Sequence, residues 1–271
     1  MLIAQISDTH IKLPGRLAYR KVDTAAMLAE CVAALGKLNP QPDLIVLTGD
    51  LVDLGRPAEY EHLKALLAPI EQPLLAIPGN HDGRAGMRAA FAGEGYLPAA
   101  GFLQYAVEDW PLRIVGLDTL KEGEGGGELC AERLAWLDAT LAAKPGLPTL
   151  VLMHHPPFLT GIGHMDAIGL SGREGFAAVV ARHPQVEMIL CGHLHRTIHA
   201  RVGGRPALTC PSPAHQVALD LRAEAPSCFR MEPPGFMLHR WEGGTLVSHT
   251  AVLGEFDGPH PFFDAEGRLI D

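Results

Sequence analysis

Residues that can bind metals or move protons recur in this chain at one kind of place, the end of an apolar run. Leu2 to Ser7 leads into Asp8-Thr9-His10, and Asp43 to Thr48 leads into Gly49-Asp50. Leu74 to Ile77 leads into Pro78-Gly79-Asn80-His81-Asp82. Thr149 to Met153 leads into His154-His155-Pro156-Pro157, and Val186 to Cys191 into Gly192-His193-Leu194-His195. An Asn carbonyl can ligate a cation, and an imidazole can ligate or carry a proton. Thrown out behind a sharp Pro-Gly turn, such residues read as site chemistry on a rigid support rather than as core packing. Two Asp, one Asn and three or four His make a mixed oxygen and nitrogen set. Such a set suits Mn, Fe, Zn or Co rather than Ca or Mg. It is too large for one ion. Two ions sharing a bridging carboxylate would use it, and a pair ~3.5–4 Å apart is the usual hydrolytic arrangement.

Each motif has a plainer reading when taken alone. Gly79 to Asp82 can be a hydrogen-bonded turn, and Asp8 can cap the next segment beside a surface His10. Asp8 and His10 are separated by one residue, so in extended backbone they point to the same face, and the same holds for His193 and His195. His155 is expected to pack or to support a ligand, and Asp53 and Asp82 to orient backbone or ligand imidazoles. Tyr19 and Arg56 are within reach of a substrate only if the fold brings them there; an exposed ring and a solvated cation are the default. Gly123 to Gly127 lacks a following Lys-Ser/Thr and is no phosphate-binding loop.

The elements that must hold these residues follow from periodicity. Met27, Leu28, Cys31, Val32, Leu35 and Leu38 recur at helical spacing within residues 22–38, with Asp23 or Thr24 as cap. Further helices are expected at about 58–67, 83–92, 132–141 and 175–181. Strand, helix, strand, helix, strand with short links predicts a sheet covered by helices, with ligands at the carboxyl ends of strands. Residues 103–107 and 112–117 read as two strands, and 123–127 as a flexible loop. Residues 158–172, with His164, Met165 and Asp166, read as too irregular for an element and well placed to be a lid. The last third carries short strands at 197–202, 207–209, 236–241 and 245–251 with Gly-Gly turns. Between them lies a Pro-rich excursion, 211–234, that contains His215. A tail, 253–271, carries Phe256, Phe262 and Phe263.

Composition narrows the function classes. The 271 residues are 47% hydrophobic and 20% charged, which fits an ordered globular chain with a sizeable core. A formal net charge of -9 argues against a broad nucleic-acid surface, because phosphate backbones require clustered Lys and Arg. Bound cations can still attract an anionic substrate. Five scattered cysteines, without paired spacing, suggest reduced thiols in the cytoplasm, with Cys31 and Cys191 packed inside. The first residues read as a strand rather than a signal peptide, and no segment approaches the ~20 apolar residues of a membrane span.

The five motifs in this order resemble those of the calcineurin-like metallophosphoesterases. The chain looks most like the bacterial glycerophosphodiesterases and the class III cyclic-nucleotide phosphodiesterases. The resemblance extends over nearly the whole chain and includes Gly55-Arg56-Pro57, Glu59-Tyr60, Met165-Asp166 and His215-Gln216-Val217. It implies an α/β (α+β) fold, a four-layer α-β-β-α sandwich of two mixed sheets, as one domain over 1–271 with a small cap or oligomerisation region. Cap or lid segments are expected at about 158–172 and 211–234. It further implies that Asp8, His10, Asp50 and His195 hold one metal, and that Asp50, Asn80, His154 and His193 hold the second, Asp50 bridging.

Two divalent or trivalent ions of that kind lower the pKa of a water and stabilise charge on the phosphoryl group. His81 is then free to protonate the leaving alkoxide or hold the phosphate, and Asn80 and His215 to contact substrate. The reaction expected is hydrolysis of a small phosphodiester, either a glycerophosphodiester or a 3′,5′-cyclic nucleotide. The rivals are a phosphomonoesterase or nuclease of the same superfamily and a scaffold without catalysis. No nucleic-acid polymer and no membrane partner is expected. Relatives associate through their β-rich cap and C-terminal parts, so a homodimer or higher homo-oligomer is expected too.

Overall fold

Four-residue apolar runs bury both faces of a strand, and they do so here in alternation. In the computed structural model, which describes residues 1–270, the chain opens with β1 (Leu2–Ile6), α1 (Thr24–Gly36), β2 (Leu44–Leu47), α2 (Pro57–Leu67), β3 (Leu74–Ala76) and α3 (Arg84–Ala90). Strands β1, β2 and β3 are parallel neighbours. Leu44 and Val46 point one way, into a cluster shared with the other sheet, while Ile45 and Leu47 point the other way, onto the helices. The Asp23 side chain accepts from the Ala26 N–H and starts α1.

The second half repeats the plan. It runs β4 (Tyr105–Val107), β5 (Arg113–Gly116), β6 (Gly127–Glu128), α4 (Ala131–Ala142), β7 (Thr149–Leu152), α5 (Gly163–Ala167), β8 (Leu170–Ser171), α6 (Arg173–Arg182) and β9 (Val186–Cys191). Strands β10 (His199–Val202), β11 (Arg205–Thr209), β12 (Gln216–Val217), β13 (Phe229–Arg230), β14 (Gly235–Glu242) and β15 (Thr245–Val252) follow. The first sheet has the order β15-β14-β1-β2-β3 and the second β10-β11-β9-β7-β5-β4, each mixing parallel and antiparallel pairs.

Ile3, Leu44, Val46 and Ile77 meet Ile114, Leu150, Leu152 and Leu190 where the sheets face each other. Helices α1 and α2 cover the outer face of the first sheet, and α4 and α6 that of the second. Each fully buried Leu or Ile contributes about 1.5–3 kcal/mol, so the three clusters together hold the strand ends in fixed relation. The architecture is the expected α-β-β-α sandwich.

Some local expectations are corrected. Residues 158–172 are not without elements: they form α5 and β8, because Asp166 accepts from the Thr160 and Gly161 N–H groups and closes a tight turn. The glycine stretch 123–127 ends in β6, which pairs with β8, so its last residue is anchored rather than loose. The helix expected at 83–92 stops at Ala90 and is followed by one 3-10 turn, Ala92–Glu94. The excursion 211–234 contains the β12–β13 ribbon. In the tail, Leu253 joins the core, while Phe256, Phe262 and Phe263 are 68%, 78% and 57% exposed.

Candidate metal centre

The carboxyl ends of β1, β2, β3, β7 and β9 bring all seven expected ligands together at one edge of the two sheets. The backbone there is not extended, as the spacing argument assumed. Asp8, His10, Asp50, His193 and His195 have φ of 56°, 44°, 50°, 70° and 52°. They are five of the seven non-glycine residues with positive φ among the described residues. A left-handed L-residue costs roughly 1–2 kcal/mol, so local preference does not explain the concentration; tertiary hydrogen bonds hold it. Asp8 N–H donates to Gly49 O (3.0 Å), His10 N–H to Asp50 O (2.9 Å) and His193 N–H to Asp8 Oδ1 (3.0 Å).

The side chains converge in two sets. In one, His10 Nε2 lies 3.1 Å from His195 Nε2, and His195 Nε2 lies 3.5 Å from Asp8 Oδ1. In the other, Asn80 Oδ1 lies 3.1 Å from His154 Nε2 and 3.0 Å from His193 Nδ1. Asp50 Oδ2 stands between them, 3.6 Å from His10 Nε2 and 3.4 Å from His154 Nε2. His154 and His195 each direct Nδ1 at a backbone carbonyl, so in the neutral form both turn an Nε2 lone pair toward these points. Lone pairs turned toward common points are what a cation requires, and the donor set fits N/O-ligated transition metals.

Electrostatics divide the rings of the site, one held charged by the carboxylates and two held neutral by burial. Burial pushes the Asp50 carboxyl up, but His154, His81 and His10 outweigh it and hold Asp50 well below the carboxylate range. Burial raises Asp8 to about 6, with Asp50 adding to the effect and His154 and His10 opposing it. Burial lowers His154, yet Asp50 and Asp8 overcome it and raise this imidazole to about 9. Burial and neighbouring imidazoles hold His193 and His195 well below the histidine range, which leaves neutral rings, the form that ligates.

A supporting layer fixes these rings. His154 Nδ1–H donates to Thr48 O (2.8 Å) and His195 Nδ1–H to His215 O (3.0 Å), the outer contact usual for ligand histidines. His155 faces Thr119 Oγ1 (2.9 Å) and Gly125 O (3.2 Å) with its two nitrogens, contacts that suit a supporting role. Asp82 accepts from the N–H groups of Gly79, Leu51 and Val52 and from Tyr60 Oη, tying two strand-end turns together. Asp53 pairs with Lys12 and lies 3.5 Å from His10 Nδ1.

His81 donates its backbone N–H to Asp50 Oδ1 (2.8 Å), and its Nδ1–H to Asp53 O (2.8 Å), and its ring lines the cavity in front of the centre. Gly79 is required by close approach: a Cβ there would lie 2.2 Å from Asp50 N and Oδ1. Gly79→Ala is therefore expected to displace Asp50 and lower metal affinity by roughly 10–100-fold. Calorimetric titration of a variant with unchanged circular dichroism checks this, and wild-type affinity would show that the turn yields freely.

The cavity holds about 330 Å³. His215 lines it, with burial and His10 lowering its pKa to about 3, and the Tyr19 and Phe229 rings pack against it at 5.2 and 5.1 Å and against each other at 5.1 Å. His164, Met165 and Ile168 line it from one expected cap segment and Val217, Ser227 and Cys228 from the other, so both reach it. Arg56 is not among the lining residues. Sequence reasoning missed Phe229 and Thr48. Phe229 sits far along the chain in a stretch without periodicity, and Thr48 acts through a backbone carbonyl that any residue carries.

The profile of the calcineurin-like phosphoesterases matches residues 1–197. A probable glycerophosphodiester phosphodiesterase of Arcobacter nitrofigilis is 42% identical over 273 residues, covering 100% of both chains. A probable cyclic nucleotide phosphodiesterase of Rhodopseudomonas palustris is 36% identical, covering 96% of this chain and 94% of its own. The crystal structure of a dimetal phosphatase from Danio rerio superposes with a TM-score of 0.68 at 17% identity, covering 94% of this chain and 97% of its own. The chain belongs to the calcineurin-like phosphoesterase family. It is a metal-dependent phosphoester hydrolase by that membership.

Proposed function

We propose that this chain hydrolyses small phosphodiesters at a centre of two cations. Asp8, His10, Asp50 and His195 hold one, and Asp50, Asn80, His154 and His193 the other. The observation that carries the reading is the position of Asp50 Oδ2 between the two convergent sets. Iron, manganese, zinc and cobalt all suit the ligands. Bound there, such ions supply Lewis acidity toward the phosphoryl oxygens and acidify a water. Asn80 and His81 face the phosphate, and His81, held through Nδ1 by Asp53 O, is placed to protonate the departing alkoxide. His215, with Tyr19 and Phe229, bounds the space for the alcohol part of the substrate.

A cavity of about 330 Å³ with no Lys or Arg among its lining residues supports a small diester of single negative charge over a nucleic-acid polymer. Glycerophosphodiesters and 3′,5′-cyclic nucleotides, the substrates in the relatives' names, are of that kind. A scaffold reading is disfavoured because all seven ligand positions are filled. The test is a panel assayed with Mn-loaded protein: bis(p-nitrophenyl) phosphate, a glycerophosphodiester, cyclic AMP, a phosphomonoester and single-stranded DNA. Faster turnover of the monoester or the polymer than of every small diester would overturn the reading.

The segments 158–172 and 211–234 act in this proposal as a cap within one domain, 1–271. The homodimer or higher assembly forms around β15 and the tail. β15 is an eight-residue edge strand, TLVSHTAV, with no fixed charge, and such an edge invites a further strand. Val252, Phe256, Phe262 and Phe263 add exposed apolar surface beside it. Deleting 255–271 is expected to shift the protein toward monomer in light scattering; a full-length chain that is monomeric at micromolar concentration disposes of the assembly. Five unpaired cysteines, three of them buried, support a reducing cytoplasmic setting. Among the described residues no helix is long and apolar enough to cross a membrane.

A further inference from the structure

Gln5 and His239 are fully buried polar residues at the junction of two sheets that otherwise meet through apolar side chains such as Ile3, Val46 and Leu190. The Gln5 amide donates both ways, to Thr48 Oγ1 at 3.0 Å and to Cys191 O at 3.1 Å. Its Oε1 accepts from His239 Nε2 at 3.0 Å, and His239 Nδ1 faces Ser248 Oγ at 2.7 Å. Burial, with His249 adding to it, lowers His239 to about 3, so the ring is neutral and its Nε2–H is fixed as a donor. Every polar atom of the Gln5 amide therefore has a partner, and the amide has one orientation.

The partners are not scattered. Gln5 lies on β1, three residues before Asp8. Thr48 lies two residues before Asp50, and its carbonyl receives the Nδ1–H of His154. Cys191 lies two residues before His193. One amide thus touches the three strands from which Asp8, Asp50 and His193 emerge, and it crosses from the first sheet to the second. An apolar side chain would fill this place without a hydrogen-bond requirement. A buried polar cluster is at best a weak stabiliser, and its best attested use is to fix register.

We infer that Gln5 is a positioning residue of the metal centre. Its amide sets the spacing of the two sheets where His154 and His193 must meet Asp50 and Asn80, and His239 locks that amide. The inference rests on the cation-binding part of the reading above and not on the substrate.

The experiment is stepwise Mn²⁺ titration of the apoprotein by calorimetry. The step belonging to the Asn80 set is identified as the one that Asn80→Ala weakens. Gln5→Met keeps the stem and volume but removes the amide; it is expected to weaken that step by roughly 10–100-fold and the other, where His195 crosses the same junction to Asp8, by a smaller factor. His239→Phe is expected to give a smaller loss at the same step. His239→Gln, which offers an amide N–H near the position of Nε2, should restore it. Thr48→Val, which removes only one acceptor, carries the same expectation at smaller size if Gln5→Met does not fold. Unchanged affinity at both steps with a lowered Tm, or equal weakening of both, overturns the inference and makes Gln5 an ordinary packing residue. Hydrolysis plays no part in the readout, so a failure of the phosphodiesterase reading leaves this result separately legible.

Discussion

Asp50→Ala is expected to lose metal uptake and hydrolysis together. Asp50 is buried, and its Oδ2 lies within 3.6 Å of an imidazole nitrogen from each ligand set. In the proposed assignment the other six ligands are unshared, so each of their deletions thins one set, whereas this deletion thins both. Removing one partner of a buried charged pair costs about 3–5 kcal/mol, which is roughly 10²–10⁴ in an equilibrium constant. The substitution also removes the acceptor of the His81 N–H, so the turn at Asn80 loses its tether. Metal content after desalting and kcat on a diester check the result together. Two tightly held metals with near-normal turnover in this variant would show that the sets do not share Asp50.

The second large effect separates chemistry from assembly of the site. His81→Ala is expected to lower kcat by roughly 10²–10⁴-fold if the imidazole is the general acid, with metal content near wild type. The reason for the split is geometric. The contact that steadies Asp50 comes from the His81 backbone N–H, which alanine retains, while the imidazole lies outside both convergent sets. The loss should shrink for p-nitrophenolate, which leaves without a proton, and stay large for a glycerol or ribose alkoxide. An equal loss for good and poor leaving groups would sink the acid role and leave His81 as a group that positions phosphate.

Much of this was legible in the sequence because burial and local chemistry are written locally. Runs such as Leu44–Leu47 and Leu150 to Leu152 are apolar on both faces, the mark of a strand covered on both sides. Residues unfit for such a core, set directly after each run, mark the sheet edge as the site. That reasoning located the strand ends that converge in the fold, and the order of the motifs carried the family and, through it, the seven expected ligands. Helices α1, α4 and α6 were visible by their spacing for the same reason. Short elements such as α5 and β8 were not, since Asp166 and the pairing with β6 create them and neither leaves a periodic signal.

Residue spacing alone did not give the division of the expected ligands, which came from the family resemblance; the tertiary structure gives its physical reason. His193 and His195 share a face in an extended chain, yet they stand in different sets, because positive φ at both residues turns the backbone between them. That conformation is unfavourable on its own and persists through contacts from residues nearly two hundred positions away, such as Asp8 on the His193 N–H. The same holds for Phe229 against His215 and for Gln5 against Cys191. Sequence periodicity reports which residues are buried. Which buried residues meet depends on how two sheets are set face to face, and that is a property of the packed whole.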